Sequence, residues 1–190
     1  MNSHQPASKL CSNGWSALVF ALFWCFSGAA YGDWQGTVWN NSPEQAQKDF
    51  RVPHRAATPA EVQNYFGEAR IAFDSYQVGD LAFHKGMLLF SDGKLYAIWM
   101  ELKDPSLCDK LIAVLRVAYG EPAEDKTYKI VDEFPPDRTV RWYDQKQRNE
   151  INVFYTRYPA EMYSDDDCKL KYAPFIVPSP GQLLNSGGPA

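Results

Sequence analysis

The chain has 190 residues, 45% of them hydrophobic, and a formal net charge of −4. That mild acidity disfavours nucleic acid or an anionic membrane surface as a partner. The length beyond residue 32 suits one domain, which needs neither a metal nor a dense set of disulfides to fold.

Residues 1–32 have the pattern of a cleavable signal peptide. Lys9 supplies a weak positive region, Ala17–Phe26 is an apolar run of ten, and small residues then favour cleavage before Tyr31 or before Asp33. An uncleaved anchor is the weaker alternative, because a membrane span needs roughly 20 residues. No later segment is apolar enough to span a bilayer, so we expect a periplasmic or secreted chain without stable membrane insertion.

The first elements predicted after the signal peptide are a short strand and a short helix. Thr37–Trp39 has the residue types of a strand. The helix begins after Ser42, a favoured capping residue, with Pro43 at its first position and Gln45 completing a capping box.

A second short helix follows the same rules. In Thr58–Glu61 a threonine caps the helix, proline begins it and glutamate closes the capping box, while Gly67 ends it. Val62 and Phe66 are four residues apart, so we expect both side chains to face the core.

Strands and a tight turn make up the next region. Ile71–Val78 and Leu81–Phe90 are predicted strands, and Asp92-Gly93 is a strong hairpin signal before a returning strand at Leu95–Leu102. Strict alternation in the returning strand divides its side chains between two faces. The expected core face comprises Tyr96, Ile98, Met100 and Leu102, and the other face comprises Leu95, Ala97, Trp99 and Glu101.

The longest predicted helix follows the hairpin. It is capped by Asp104, begins at Pro105 and ends by Gly120 and Pro122. Helical periodicity places one apolar stripe toward the core. That stripe comprises Cys108, Leu111, Ile112, Leu115 and Tyr119.

The remaining residues predict a second set of strands. A short strand is expected at Tyr128–Val131, a hairpin on either side of residues 145–148, an acidic loop at 159–167, and a last strand from Cys168. Residues 174–190 are rich in Pro, Gly and Ser and predict a flexible tail. The order of elements predicts one α+β domain over residues 33–173. Its antiparallel sheet should have about five to seven strands, with one main helix and two short N-terminal helices packed on one face.

Two cysteines remain after removal of the signal peptide, which carries Cys11 and Cys25. In an oxidising compartment Cys108 and Cys168 are expected to form a disulfide. A catalytic thiol, the alternative, needs a neighbouring base. Nothing in the sequence places a histidine near Cys108.

Other chemical signals are weak, so we expect no catalytic residue, no cofactor and no metal. His54 and His84 have no acidic or cysteine companion at metal-ligand spacing. Asp165, Asp166 and Asp167 are adjacent, and adjacent carboxylates do not all point at one calcium ion. A solvated turn is the favoured interpretation.

Aromatic residues are the clearest candidates for function. Trp99, Trp142 and Tyr155, with Arg141, form the candidate binding surface, provided that the aromatic residues share the sheet face away from the helices. Trp, Tyr and Arg are enriched at protein–protein hot spots. In the alternative interpretation these aromatic residues build the core and the sheet surface.

The chain resembles small exported bacterial α+β proteins of uncharacterised type, and its order of helices and sheet is similar to that of β-lactamase-inhibitor-protein-like modules. The matching residues are Phe90–Ile98, Cys108, Leu115, Tyr119–Pro122, Trp142, Ile151, Cys168, Leu170 and Tyr172. The resemblance covers residues 42–172. It implies no activity, but it favours binding over catalysis.

These observations lead to the expectation of an exported, non-enzymatic protein that binds another envelope or secreted protein through an aromatic sheet face, as an accessory or inhibitor. A small-ligand or cell-wall-glycan-binding module is the alternative, followed by a hydrolase of unrecognised type. The oligomeric state stays open.

Overall fold

The computed structural model describes residues 33–129, 132, 134–159 and 166–175. The predicted signal peptide, residues 160–165 of the acidic loop, the end of the predicted strand Tyr128–Val131 and residues 176–190 of the predicted tail lie outside the described residues. Within the described ranges, no helix is long and apolar enough to cross a membrane.

Three helices and eleven strands make up the described chain. The helices are α1 (Pro43–Asp49), α2 (Pro59–Asn64) and α3 (Cys108–Tyr119), the last preceded by a 3₁₀ turn at Pro105–Leu107. The strands are β1 (Asp33–Trp34), β2 (Thr37–Val38), β3 (Arg55–Ala56), β4 (Ala69–Phe73), β5 (Tyr76–Val78), β6 (Leu81–Ser91), β7 (Lys94–Leu102), β8 (Glu124–Tyr128), β9 (Asp137–Asp144), β10 (Asn149–Thr156) and β11 (Asp167–Pro174).

Nine of these strands form one antiparallel sheet in the order β3-β4-β6-β7-β11-β10-β9-β8, with β5 paired to β6 beside this path. The α+β class is thus confirmed, but the sheet has more strands than the five to seven expected. The additional strands carry little sequence signal. β3 and β5 have two and three residues, and β8 is mostly exposed and charged.

The sheet separates two apolar clusters. The larger lies on the side that we call the helix face, and it includes Ala46 of α1 together with Cys108, Leu111, Ile112 and Leu115 of α3. The smaller lies on the opposite side, which we call the open face, and it comprises Ala69, Ala72, Met87, Leu89 and Ala97. Because β4 and β6 contribute alternate residues to both clusters, the centre of the sheet is apolar on both sides.

The hairpin between β6 and β7 forms at Asp92-Gly93 as predicted. Both residues have positive φ angles, 50° and 71°, which a two-residue hairpin turn of the primed type requires. The strict alternation predicted for β7 is wrong at its start. Between the pairs Leu89–Ala97 and Phe90–Leu95, β7 contributes one extra residue. This bulge places Leu95 in the larger cluster, while Tyr96 packs against the smaller one.

The predicted helix caps are present. Ser42 accepts a hydrogen bond from the Gln45 backbone, but the predicted capping box is not formed there, because the Gln45 side chain donates to Asp49 at 2.6 Å. Thr58 and Glu61 form a complete capping box. The predicted orientation of α2 is wrong, because Val62 is only half-buried and Phe66 is 95% exposed. Tyr65, which ends α2, packs against the smaller cluster, so α2 does not share the helix face with α1 and α3.

Gly86 allows a close approach between two strands, since it lies opposite Phe73 in the pairing of β4 with β6. A Cβ atom at residue 86 would lie 1.9 Å from Cζ of the Phe73 ring, and Phe73 is fully buried. We therefore expect Gly86→Ala to lower the free energy of unfolding by about 1–3 kcal/mol, measured by urea denaturation. The double variant Phe73→Leu/Gly86→Ala should lose less than the sum of the two single variants. Wild-type stability of Gly86→Ala would contradict this account.

Candidate functional site

Cys108 and Cys168 are joined by a disulfide that links the first residue of α3 to β11. Both cysteines are fully buried, and their Cα atoms are 5.8 Å apart. This confirms the expected pairing. Neither sulfur is a free nucleophile, so the bond's role here is to hold the fold.

Trp142 lies on the helix face and not on the open face. Its side chain is 1% exposed and belongs to the larger cluster. The indole nitrogen donates a hydrogen bond to the backbone oxygen of Gly120, at 3.0 Å, and so connects β9 to the end of α3. Trp142 is therefore part of the core.

Tyr155 also lies on the helix face. It pairs with Cys168 across β10 and β11, and it packs against the larger cluster. Its hydroxyl donates a hydrogen bond to Asp166 at 3.2 Å. The four residues of the candidate binding surface are thus divided between the two faces. Of the predicted set, the open face keeps Trp99 and Arg141.

Trp99 is half-buried at the centre of the open face. Its ring stacks on Phe154 with the two ring centroids 5.3 Å apart and the planes 16° from parallel. The Lys171 ammonium lies 5.7 Å from the Trp99 ring centroid, within reach of a cation–π interaction. β7 and β10 contribute the two stacked rings on either side of β11.

The binding surface predicted from the sequence included Tyr155 and therefore omitted its neighbour Phe154. Adjacent residues of a strand point to opposite faces, so one choice excludes the other. The larger cluster contains Ile151 and Val153, which have the parity of Tyr155. Because side chains alternate along β10, Phe154 lies on the face opposite to Val153 and Tyr155. This alternation is the sequence signal that places Phe154 on the open face.

Charged side chains border this aromatic pair, and two of the cations are paired with carboxylates. Arg141 lies 3.2 Å from a Glu124 oxygen and 3.4 Å from a Glu150 oxygen, and it also donates to Asn152 at 2.9 Å. Toward β6, Lys85 pairs with Glu101 at 3.1 Å. The open face therefore presents an aromatic centre with a polar border, in which Arg141 and Lys85 are paired within the chain.

The two histidines among the described residues take different positions. His54 contacts the Val52 backbone oxygen at 2.7 Å, and its ring packs on Phe50. His84 is exposed and lies 3.8 Å from Glu101. Among the described residues, no group of three or more His, Cys, Asp or Glu side chains is placed to hold a metal ion.

The part of the acidic loop that the structure describes is engaged by protein donors. Asp166 accepts hydrogen bonds from the Tyr155 hydroxyl and from the Tyr158 backbone. Asp167 forms an ion pair with Lys169. Asp165 lies outside the described residues.

Cavities lie beside the sheet in the described part of the chain. One, of about 520 Å³, is lined by residues that include Arg51, Tyr76, Phe83, His84 and Lys103. Another, of about 280 Å³, lies against Arg138. Arg138 is paired at 2.8 Å with both Asp109 and Asp125. Arg157, which also lines this cavity, donates to the Pro136 backbone oxygen at 2.8 Å.

No protein-family model matches this chain, and neither curated protein sequences nor solved structures include a significant match.

Proposed function

We propose that this chain is an exported, non-enzymatic protein that binds another envelope or secreted protein through its open face. The observation that best supports this proposal is the Trp99–Phe154 stack, which is half-buried at the centre of a nine-stranded sheet. Tryptophan at the centre of a patch with a polar border is the usual composition of a protein–protein hot spot. An accessory or inhibitor role follows from such a surface.

Export is supported by two independent features. The first 32 residues have the pattern of a cleavable signal peptide. The disulfide between Cys108 and Cys168 fits an oxidising compartment such as the periplasm or the extracellular space. We therefore expect the partner to be located in the same compartment.

A protein partner suits this face better than a small ligand does. Small-molecule sites are concave and enclose most of the ligand, whereas Trp99 and Phe154 lie on a sheet surface. Arg141 and Lys85 beside them are paired with carboxylates of the chain, so a partner need not supply a matching ion for either of these two. A glycan chain stacked on Trp99 is the alternative, and binding to purified peptidoglycan would reveal it.

We expect Trp99→Ala to weaken partner binding about 30-fold or more, because truncating a hot-spot residue costs 2 kcal/mol or more. The measurement uses tagged protein, residues 33–190, to retain partners from envelope extract, followed by titration of the recovered partner. Val117→Ala is the control, since Val117 is an 86% exposed apolar residue on α3, on the other side of the sheet. Equal binding by Trp99→Ala and wild type would contradict the proposal, as would failure of the wild type to retain any protein.

A further inference from the structure

The end of α2 has a backbone geometry that disfavours the residue found there. The Gly67 N–H donates to the Val62 backbone oxygen at 2.7 Å, and the Phe66 N–H donates to the Gln63 backbone oxygen at 3.1 Å. These two bonds define a Schellman motif, in which the residue at the position of Phe66 is left-handed and is usually glycine. Phe66 has φ +52°, a conformation that costs free energy for a bulky side chain.

The Phe66 side chain does not offset this backbone cost within the chain. It is 95% exposed, the most exposed of the large hydrophobic residues that the structure describes. Both the backbone preference and the solvent exposure would be satisfied better by glycine or asparagine. The exposed Phe66 ring can therefore stabilise only a complex, in which another molecule buries it.

The loop that carries Phe66 is fixed to the border of the open face. Tyr65 packs against the open-face cluster, and burial raises the pKa of its hydroxyl to about 12. The Glu68 backbone oxygen accepts from the Phe90 N–H at 2.9 Å, and the Glu68 carboxylate accepts from the Tyr96 hydroxyl. The backbone that carries Phe66 is thus held in place before any partner binds, which lowers the entropy cost of binding.

Arg70 adds an uncompensated cation beside Phe66. Its guanidinium donates to the backbone oxygens of Gly67 and Ala69. Within the described residues no carboxylate lies in ion-pair distance of Arg70. A partner surface that faces this loop is therefore expected to carry a carboxylate.

We propose that Phe66 is an anchor that extends the open face, inserting into an apolar pocket of the partner protein while a partner carboxylate faces Arg70. This inference rests on the proposed function and names the residue that makes the outermost contact. A phenyl ring beside a cation also suits a lipid surface. Glu68 lies two residues from Phe66 and the chain has a net charge of −4, and both features disfavour an anionic membrane and favour a protein.

The first test uses Phe66→Asn, because asparagine tolerates the left-handed conformation. The variant should melt roughly 2–4 °C above the wild type, since backbone strain is relieved. In the envelope-extract assay, its affinity for the partner should nevertheless be at least tenfold lower than that of the wild type. A variant that is more stable but does not bind cannot be explained by misfolding.

Val117→Asn is the matched control, as Val117 is an 86% exposed apolar residue on α3. It should keep partner binding. Arg70→Glu should weaken binding, and the difference from wild type should shrink at high salt. In a third arm, p-benzoylphenylalanine replaces Phe66, and irradiation in the extract should link position 66 to the same protein that the wild type retains.

Several results would overturn the inference. These are full partner binding by Phe66→Asn, an unchanged or lower melting temperature of that variant, or a photo-adduct with lipid or with a second copy of this chain. Binding of the wild type, but not of Phe66→Asn, to phosphatidylglycerol vesicles would assign Phe66 to a membrane surface instead. If the wild type retains no protein at all, the proposed function fails as well; if Trp99→Ala loses the partner and Phe66→Asn keeps it, only the anchor fails.

Discussion

Replacing Cys108 and Cys168 together by alanine is expected to lower the free energy of unfolding by about 4 kcal/mol. The bond closes a loop of 60 residues, and in the chain-entropy model a loop of that length restricts the unfolded chain by this amount. It also joins α3 to β11, the strand that lies between β7 and β10. Urea denaturation of the oxidised wild type and the double variant, both lacking residues 1–32, measures the difference.

Reduction of the wild type provides the control, since the reduced protein should unfold at nearly the same urea concentration as the double variant. Titration of the unfolded, unreduced wild type should find no free thiol. Two free thiols, or a difference below about 1 kcal/mol, would contradict the structural role of this disulfide.

Trp142→Ala is expected to lower the free energy of unfolding by about 3–5 kcal/mol, the range for truncating a buried tryptophan. Trp142 is 1% exposed on the helix face, and its indole nitrogen satisfies the Gly120 backbone oxygen. The loss therefore combines a cavity with an unsatisfied carbonyl. Thermal and urea denaturation measure it.

Trp99→Ala is the matched comparison, because the half-buried Trp99 occupies the opposite face. It should lose much less stability than Trp142→Ala but most of the partner binding. The opposite outcome, in which Trp142→Ala folds with wild-type stability and loses the partner, would show that Trp142 belongs to a binding surface and not to the core.

Local signals predicted the helix caps and the first hairpin turn, but not every strand, since the strand expected at Tyr128–Val131 lies at Glu124–Tyr128. The caps at Ser42, Thr58 and Asp104 lie where the structure has them, and the turn at Asp92-Gly93 forms as expected. Alternation in the last strand also holds, since Cys168, Leu170 and Tyr172 are all buried on the helix face. These features depend on residues close together in the chain, which a single sequence displays.

The expectation that the candidate residues share one face of the sheet was wrong, because it depended on how distant strands pair. Trp99 and Trp142 each lie within a strand, but which face each occupies depends on the pairing of β11 with β7 and of β10 with β9. No local pattern contains that register. The prediction that Phe66 faces the core was wrong for a related reason. Four-residue spacing from Val62 predicts a shared face only while the helix continues. The chain leaves the helix at Tyr65.

The position of β11 has a consequence for the order of folding. The strands from β3 to β7 and those from β8 to β10 can each pair locally, but β7 and β10 have unpaired edges until β11 inserts between them. Pairing Trp99 with Lys171 joins residues far apart in sequence, and such distant contacts slow folding. β11 is therefore the strand that completes the sheet. A chain truncated before Asp167 would expose two open strand edges, which promote aggregation.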